Sequence, residues 1–491
     1  MANHKEAKTI QAIILAAGTS SRFKTGRTKL IEKICGRPMI LYPTGIMQQL
    51  GLKTVMVVGF QKESVQEAVI NHFADSVTFV HQEEQKGTGH AIACTKENWT
   101  ADHLLVLNGD MPLITQDIIE KIIKKHLESD AAISFATAHH CDPEALYGRV
   151  IQADNNIQII EAKDFEGDLA EQCCVNAGIY VIKKDFLLDH IDQLHNNNAS
   201  KEWYITDLVN IASKKQLKVV TVSVPFDRIR GVNDFKELWA AEQIKKSEII
   251  QHWMAQGVRF CIAHNVQIDW NVTIGSGSFI GSGAQLLEGT KIGKDSTVGA
   301  FSFLKNTTIG DRTHVYPHSY CDSSIIGNDA SVGPFCYIHG NSKLHDNAVV
   351  GSFVEVNRST IGSFSKAKHL AYLGDTMVGQ QVTIGAGLVA CNYDGAKKHQ
   401  TIIQDNAFIG GNNTFVAPVT IGASAITAAG STITQDVPAN ALAIARERQV
   451  NKENYADKIR EKINGDKTET EVSTTTPWAP LEAGIIFKQA E

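Results

Sequence analysis

From about residue 262 onward, aliphatic side chains fall at every sixth position. One register runs through Ile274, Ile280, Leu286, Ile292, Val298 and Leu304. A second runs through Ile326, Val332, Ile338, Leu344, Val350 and Val356, and a third through Ile403, Ile409, Phe415, Ile421 and, after Thr427, Ile433. Glycine often follows, as in Ile274-Gly275, Ile292-Gly293, Val350-Gly351 and Ile384-Gly385. A helix repeats near 3.6 residues and a half-buried strand at two, so neither explains a period of six. The pattern is that of a parallel β-helix. Three hexapeptides close one triangular coil, each aliphatic residue points inward, and coils stack at about 4.8 Å. Steps of five, Val356 to Ile361 and Leu373 to Val378, are expected at irregular corners.

The first half of the chain follows another rule. "TIQAIILAAG", "LKTVMVVGF", "DSVTFVHQ", "HLLVLNGD" and "AAISFATAH" read as buried strands, separated by helical patterns such as "PMILYPTGIMQQLG" and "TQDIIEKIIKKHLES". This alternation predicts a Rossmann-like, mostly parallel α/β sheet, with ligands beyond the carboxyl ends of its strands. Gly18 and Asp110 fall at such ends. "FKELWAAEQIKKSEIIQHWMAQ" lacks proline and glycine and reads as a long amphipathic helix between two domains. A chain of 491 residues exceeds one ordinary core. The expected division is an α/β domain over 1–235, a helical linker over 236–256, a β-helix over 257–462 and a disordered, Thr-rich tail over 463–491.

Composition narrows the function classes. Hydrophobic residues make up 43% and charged residues 20%, as in globular proteins, and a net charge of −6 gives no electrostatic case for nucleic acid or membrane. No apolar leader opens the sequence, and no window approaches a membrane span. Nine cysteines are scattered, odd in number and without a C-x-x-C pair. That predicts neither a zinc site nor a disulfide framework, and a reducing cytoplasm, with Cys173 and Cys174 as buried thiols.

Three stretches can handle a nucleotide. "LAAGTSSRFKTGRTK", Leu15 to Lys29, is a strand feeding a loop of small residues, where backbone N–H groups can approach a phosphate. Arg22 and Lys29 add positive charge there. Taken alone, the loop is equally an ordinary βα turn with surface cations, and no G-x-x-x-x-G-K-[ST] run points to a P-loop ATPase. "QEEQKGTGHA", from Gln82, offers an amide and a Gly-Thr-Gly turn suited to reading a base edge. "LLVLNGDMPL" ends a buried strand with Asp110. A lone aspartate there is usually a cap or turn residue; beside a glycine loop it becomes a candidate Mg²⁺ ligand at a pyrophosphate.

The L-A-A-G loop, Lys29, "QKGTGHA", "NGDMPL", "YGRV", "NAGIY" and "GVND", followed by a hexapeptide β-helix, resemble one family. It is that of the bifunctional N-acetylglucosamine-1-phosphate uridylyltransferase / glucosamine-1-phosphate N-acetyltransferase, and the similarity reaches to about residue 455. The resemblance implies a left-handed β-helix and the making of UDP-N-acetylglucosamine, a precursor of peptidoglycan and lipopolysaccharide. It implies that Leu15, Ala16, Ala17 and Gly18 bind UTP, with Lys29 at the phosphates, and that Gln82, Gly87 and Thr88 read uracil. Asn108, Gly109, Asp110 and Gly148 would line the site, Glu161 and Asn176 would hold N-acetylglucosamine, and Asn233 would join Asp110 at Mg²⁺. The loop departs from the family's G-x-G-T-R-M: Ser20 replaces the second glycine, and Thr28 stands where proline precedes the lysine.

In the second half the resemblance implies an acetyl-CoA site shared between neighbouring chains of a trimer. His369, in "SKAKHLAYLGD", reads by itself as an exposed surface histidine; aligned, it takes the place of the family's catalytic base. Tyr372 and Lys398 would contact the amino sugar phosphate, and Ala386, Asn392, Tyr393, Ala429 and Arg446 would bind acetyl-CoA. Four positions depart from the pattern: His339 for arginine, Asn357 for lysine, Thr383 for asparagine and Gly411 for serine. Two cations expected at the sugar phosphate are thus missing, each worth about 1.5–3 kcal/mol. Arg358, one position along, is a candidate replacement, although strand neighbours face opposite sides. A uridylyltransferase whose second domain is degenerate, or acts on another amine, is the alternative. A regulatory nucleotide-sugar-binding protein is a third reading, against which Lys29, Asp110 and Asn233 argue.

Overall fold

A computed structural model describes residues 8–142, 146–153 and 156–465. The start of the chain, where no leader was expected, and residues 466–491 of the expected tail lie outside the described residues. The described residues up to Ala443 form one compact unit, and those from Ile444 onward a second, which holds the exposed helix Tyr455–Gly465. Among the described residues no helix is long and apolar enough to cross a membrane.

The α/β half is built on strand Ile10–Ala16. Its residues are buried on both faces, which is why the run is continuously apolar rather than alternating. Lys53–Val58 and His103–Asn108 pair with it in parallel on either side, and Val77–His81 extends the sheet beyond the first of these. The chain therefore changes direction across the sheet between Ile10–Ala16 and His103–Asn108, which opens a crevice at their carboxyl ends. Strand Cys174–Lys183 runs antiparallel between His103–Asn108 and Ile133–His139. Its pairing slips between Asn176 and Tyr180. This bulge holds Gly178 at φ +69°, where a Cβ would come within 2.9 Å of the Asn108 amide.

Helix Phe235–Ala255 closes the domain. Asp234 caps it by accepting the Glu237 N–H at 2.8 Å, and the Glu237 carboxylate accepts the Asn233 N–H at 2.6 Å. This reciprocal cap, written in the sequence as D-x-x-E, fixes Asn233 at the crevice.

The second half is a left-handed parallel β-helix. Every aliphatic position of the three sequence registers is buried at 5% exposure or less. Successive coils pair in parallel, as in Ile274↔Ile292, Ile309↔Ile326 and Leu344↔Ile361. Corners are filled by a ladder of small polar residues. Ser296 donates its hydroxyl to Gly310 O and accepts the Thr313 N–H, and Ser359 repeats the pattern with Leu373 O and Thr376. Turn carbonyls and amides that a smooth strand would pair are thereby satisfied. One coil is longer: Val378 pairs with Ile403, and the extra residues form the exposed loop around Tyr393 and Lys398. The ladder ends at Leu442–Ala443, short of residue 462.

One expectation from the cysteines fails. Cys141 and Cys173 form a disulfide, and Cys173 and Cys174 are half-buried, not buried. The partners lie 32 residues apart in sequence, and only the pairing of Ile133–His139 with Cys174–Lys183 brings them together.

Candidate active sites

Two adjoining cavities occupy the crevice. The first, about 380 Å³, is lined by Leu15, Ala16, Ala17, Gly18 and Lys29 on one side and by Gln82, Gly87 and Thr88 on the other. The second, about 240 Å³, is lined by Gly148, Glu161, Asn176 and Asn233. Asn108 and Asp110 belong to both. A Cβ added to Gly18 would meet nothing within 4 Å, so the backbone is open to a ligand there. Gly87 sits at φ +105° with Trp203 O only 2.6 Å from where its Cβ would stand, a place only glycine fills. Gln82 is buried, and its amide donates to Gly87 O at 3.2 Å, which sets the orientation of the group. Gly109 donates its N–H to Leu15 O at 2.8 Å and ties the two strand ends together.

Where the cavities meet, Lys29 Nζ lies 2.6 Å from Asp110 Oδ2 and 2.8 Å from Asn233 Oδ1. Arg22 also donates to Asn233 Oδ1, at 2.7 Å. Asp110 Oδ1 is buried without a protein partner. A carboxylate and an amide oxygen side by side, one with an unused buried lone pair, suit a hard divalent cation. The two loop departures are absorbed locally. Ser20 adopts φ +57° and its hydroxyl accepts the Lys29 N–H at 2.9 Å. Thr28 uses an N–H that proline lacks to reach Gln61 at 2.8 Å.

In the second cavity the carboxylate of Glu161 accepts from the Thr206 hydroxyl at 2.9 Å, and burial pushes its pKa up. Asn176 donates to the Tyr180 hydroxyl at 2.6 Å. Tyr147 is pushed up to about 12 by burial and accepts the Gly231 N–H at 3.3 Å. Thr206, Tyr180 and Glu237 escape sequence reading; only Glu237 had a signal, its capping pattern.

The β-helix residues gather in two groups. Tyr372, Asn357 and Asn392 come together around Gly374, whose added Cβ would touch the Tyr372 hydroxyl and the Asn392 amide. Arg358 joins them, because it sits past the strand at φ +52° and so escapes the alternation expected of strand neighbours. It grips Asp375 with two bonds, Nε to Oδ1 at 2.7 Å and Nη2 to Oδ2 at 2.9 Å, and donates to Asn357 Oδ1 at 2.8 Å. Asn392 donates to Asp375 Oδ2 at 2.5 Å. The Arg358 charge is thus offset by a carboxylate. His339 is likewise engaged, 3.1 Å from Glu355 Oε1 and stacked on Tyr337 at 3.9 Å. The second group is a track of small residues: a Cβ added to Gly411 would stand 3.4 Å from Ala386 O, the Asn412 N–H donates to Ala386 O at 2.6 Å, and Gly430 donates its N–H to Gly411 O at 2.9 Å beside Ala429. His369 pairs with Ser352 of the preceding coil, and it, Thr383, Tyr393 and Lys398 are exposed. Arg446 is exposed in the second unit.

Residues 12–195 match the model of the MobA-like NTP transferase domain, 262–369 that of the GMPPB C-terminal domain, and 400–435 that of the hexapeptide repeat of succinyl-transferase. Several relatives bear the name "Bifunctional protein GlmU". That of Halalkalibacterium halodurans is 38% identical, over 91% of this chain and 98% of its own. Those of Fervidobacterium nodosum and Geobacillus sp. WCH70 are 39% and 40% identical, over 94% and 92% of this chain and 100% and 99% of theirs.

Proposed function

The chain belongs to the bifunctional GlmU family, and from that premise we propose how its two sites make UDP-N-acetylglucosamine. The protein is a nucleotidyltransferase and an acetyltransferase. The β-helix passes the acetyl group of acetyl-CoA to glucosamine-1-phosphate, and the α/β half then transfers UMP from UTP to N-acetylglucosamine-1-phosphate and releases pyrophosphate.

The observation that carries the second step is the shared wall of the two cavities. A nucleotide in the first and a sugar phosphate in the second would meet at Asp110 and Asn108. An oxygen of the sugar phosphate attacks the α-phosphorus in line with the departing pyrophosphate, so positioning and charge matter more than a covalent residue. Lys29 and Arg22 supply fixed positive charge at that point. We assign Asp110 and Asn233 as the residues that would hold Mg²⁺, which neutralises phosphate charge when bound. Glu161 and Asn176 orient the sugar.

In the acetyl step His369 takes the proton of the attacking amine, a task suited to an imidazole. Ala386, Gly411 and Ala429 offer CoA a track without side-chain obstruction. Each acetyl site is exposed on one chain, and we place it between chains of a homotrimer. An apolar corner beside it supports this: Phe301, His318, Phe335 and Phe353 stack at 5.1–5.6 Å, followed by Leu370, and remain exposed. We place the enzyme in the cytoplasm, with its substrates, and give it no nucleic-acid or membrane partner.

The two half-reactions run separately on purified protein test this. Pyrophosphate release from UTP and N-acetylglucosamine-1-phosphate, and CoA release with glucosamine-1-phosphate, are both expected. Intact pyrophosphate release with no CoA release at high substrate would reject the acetyl acceptor, and would fit the engagement of Arg358 and His339 by carboxylates.

A further inference from the structure

We propose that Cys141 and Cys173 form a thiol–disulfide exchange site that sets the affinity of the sugar cavity, with a dithiol as its reactant. The inference rests on the assignment of that cavity to N-acetylglucosamine-1-phosphate. The disulfide joins the ends of strands Ile133–His139 and Cys174–Lys183, and so closes the segment that carries Gly148 and Glu161. Both residues line the second cavity, and neither belongs to the first.

Three contacts link the bridge to the cavity wall. His140 donates its N–H to Cys173 O at 2.8 Å, beside the bridge. Arg149, fully buried, donates to the carbonyls of Asp142 at 3.4 Å and Leu169 at 3.3 Å, the first adjacent to Cys141 and the second four residues before Cys173. It also donates to Tyr147 O at 2.7 Å, next to Gly148. A buried guanidinium that donates to carbonyls from both arms favours those arms being held together. Finally, Asn176 donates its N–H to Gly148 O at 2.8 Å, only three residues after Cys173. Freeing the cysteines releases one of the ties that fix Gly148 against Asn176.

The bridge is open to chemistry. Cys141 is exposed, and His139 Nε2 lies 3.4 Å from its sulfur. A thiolate of the dithiol attacks Cys141 Sγ; the protein S–S bond breaks and Cys173 leaves as a thiolate that takes up a proton. The second thiol of the reagent, after losing its proton, attacks the mixed disulfide and expels Cys141, beside which the His139 imidazole can place an N–H. Two electrons pass from the dithiol to the cysteine pair, and the reagent departs as its own disulfide. The exchange runs in reverse when the reagent's own disulfide is in excess, so the bridge follows the thiol–disulfide balance around it, as a structural staple does not.

The test uses the full chain, treated with dithiothreitol or with its oxidised form, and freed of reagent. Reduction is expected to raise KM for N-acetylglucosamine-1-phosphate at least threefold while KM for UTP stays constant. Cys141→Ser combined with Cys173→Ser should hold the reduced value in both treatments, which separates this pair from the seven other cysteines. Equal sugar KM in both states of the wild type, or a redox response that survives in the double variant, would overturn the proposal. Hydrogen exchange of the wild type needs no variant: reduction should raise exchange between Cys141 and Cys173 and leave the Gly18 loop unchanged, and an unchanged pattern also overturns it. Absence of UMP transfer in both states would reject the uridylyltransferase reading instead, and the exchange experiment would still decide the switch.

Discussion

The two sites of this protein differ in where their fold can put chemistry. In the α/β half, strand ends, a loop and a helix cap converge on a concavity, so Lys29, Asp110 and Asn233 touch within one chain. In the β-helix, inward positions are consumed by stacking: Ile338, Val356 and Leu373 lie in successive coils at 0% exposure. The side chains of the proposed acetyl site then stand outside, as His369 and Tyr393 do. A crevice fold makes its own walls; a prism needs a second surface to make one. On the proposed reading the first site is therefore complete in a single chain, and the second is completed by a neighbouring chain.

The largest effect that would break this comparison is on the crevice. Asp110→Ala is expected to abolish UMP transfer, since phosphoryl-group transfer rests on positioning and charge neutralisation, and Asp110 is proposed to serve both. CoA release should be unchanged. A folded variant that lost both activities together would refute two independent sites. His369→Ala is the mirror experiment. Removing a general base costs about 10²–10⁴-fold, here in CoA release, with UMP transfer intact. A loss below tenfold would return His369 to the surface role that its exposure alone suggests.

The proposed dependence on assembly can be tested at the apolar corner. Phe335 is 50% exposed and stacked between His318 and Phe353, so Phe335→Asp removes no buried core. We expect sedimentation to show a shift toward monomer, with CoA release down at least about tenfold and UMP transfer unaltered, because a charge in an apolar interface is strongly disfavoured. A monomer with full acetyltransferase activity would show that one prism suffices.

Sequence legibility follows the same division. The six-residue period revealed the β-helix because each coil repeats one constraint, an aliphatic residue inside. Strand ends and glycine loops likewise marked Gly18 and Asp110. The exterior of a prism carries no such constraint. Arg358 meets Asp375, and Asp375 meets Asn392, each 17 residues on from the last in sequence, and nothing in their local pattern separates them from other polar residues of the coils. The disulfide was hidden for a related reason: a pair set by antiparallel strand register leaves no spacing motif. Arg358 escapes the alternation expected of strand neighbours because the backbone turns at positive φ just past the last strand residue, Asn357.

A final difference lies in the interiors, and it gives the smallest effect. At the amino ends of the α/β strands, His103 Nδ1 is 2.9 Å from His126 Nε2, and His126 Nδ1 is 2.8 Å from the Ser134 hydroxyl. Burial, helped by the nearby His103 and Lys183, lowers the pKa of His126 from 6.5 to about 3. The folded state then binds fewer protons than the unfolded state between those values. Stability is full above pH 6.5 and falls as pH drops toward 3, at up to about 1.4 kcal/mol per unit. The aliphatic and hydroxyl residues that fill the β-helix coils do not titrate in this window. Acid should therefore loosen the α/β half first, and hydrogen exchange resolved by segment at pH 7 and pH 5 can see it. His126→Gln, which keeps hydrogen-bonding capacity but does not titrate, should flatten the acid response of the α/β strands and leave that of the coils unchanged. If both halves lost protection in parallel, or the variant kept the full acid slope, His126 would not be the group that separates them.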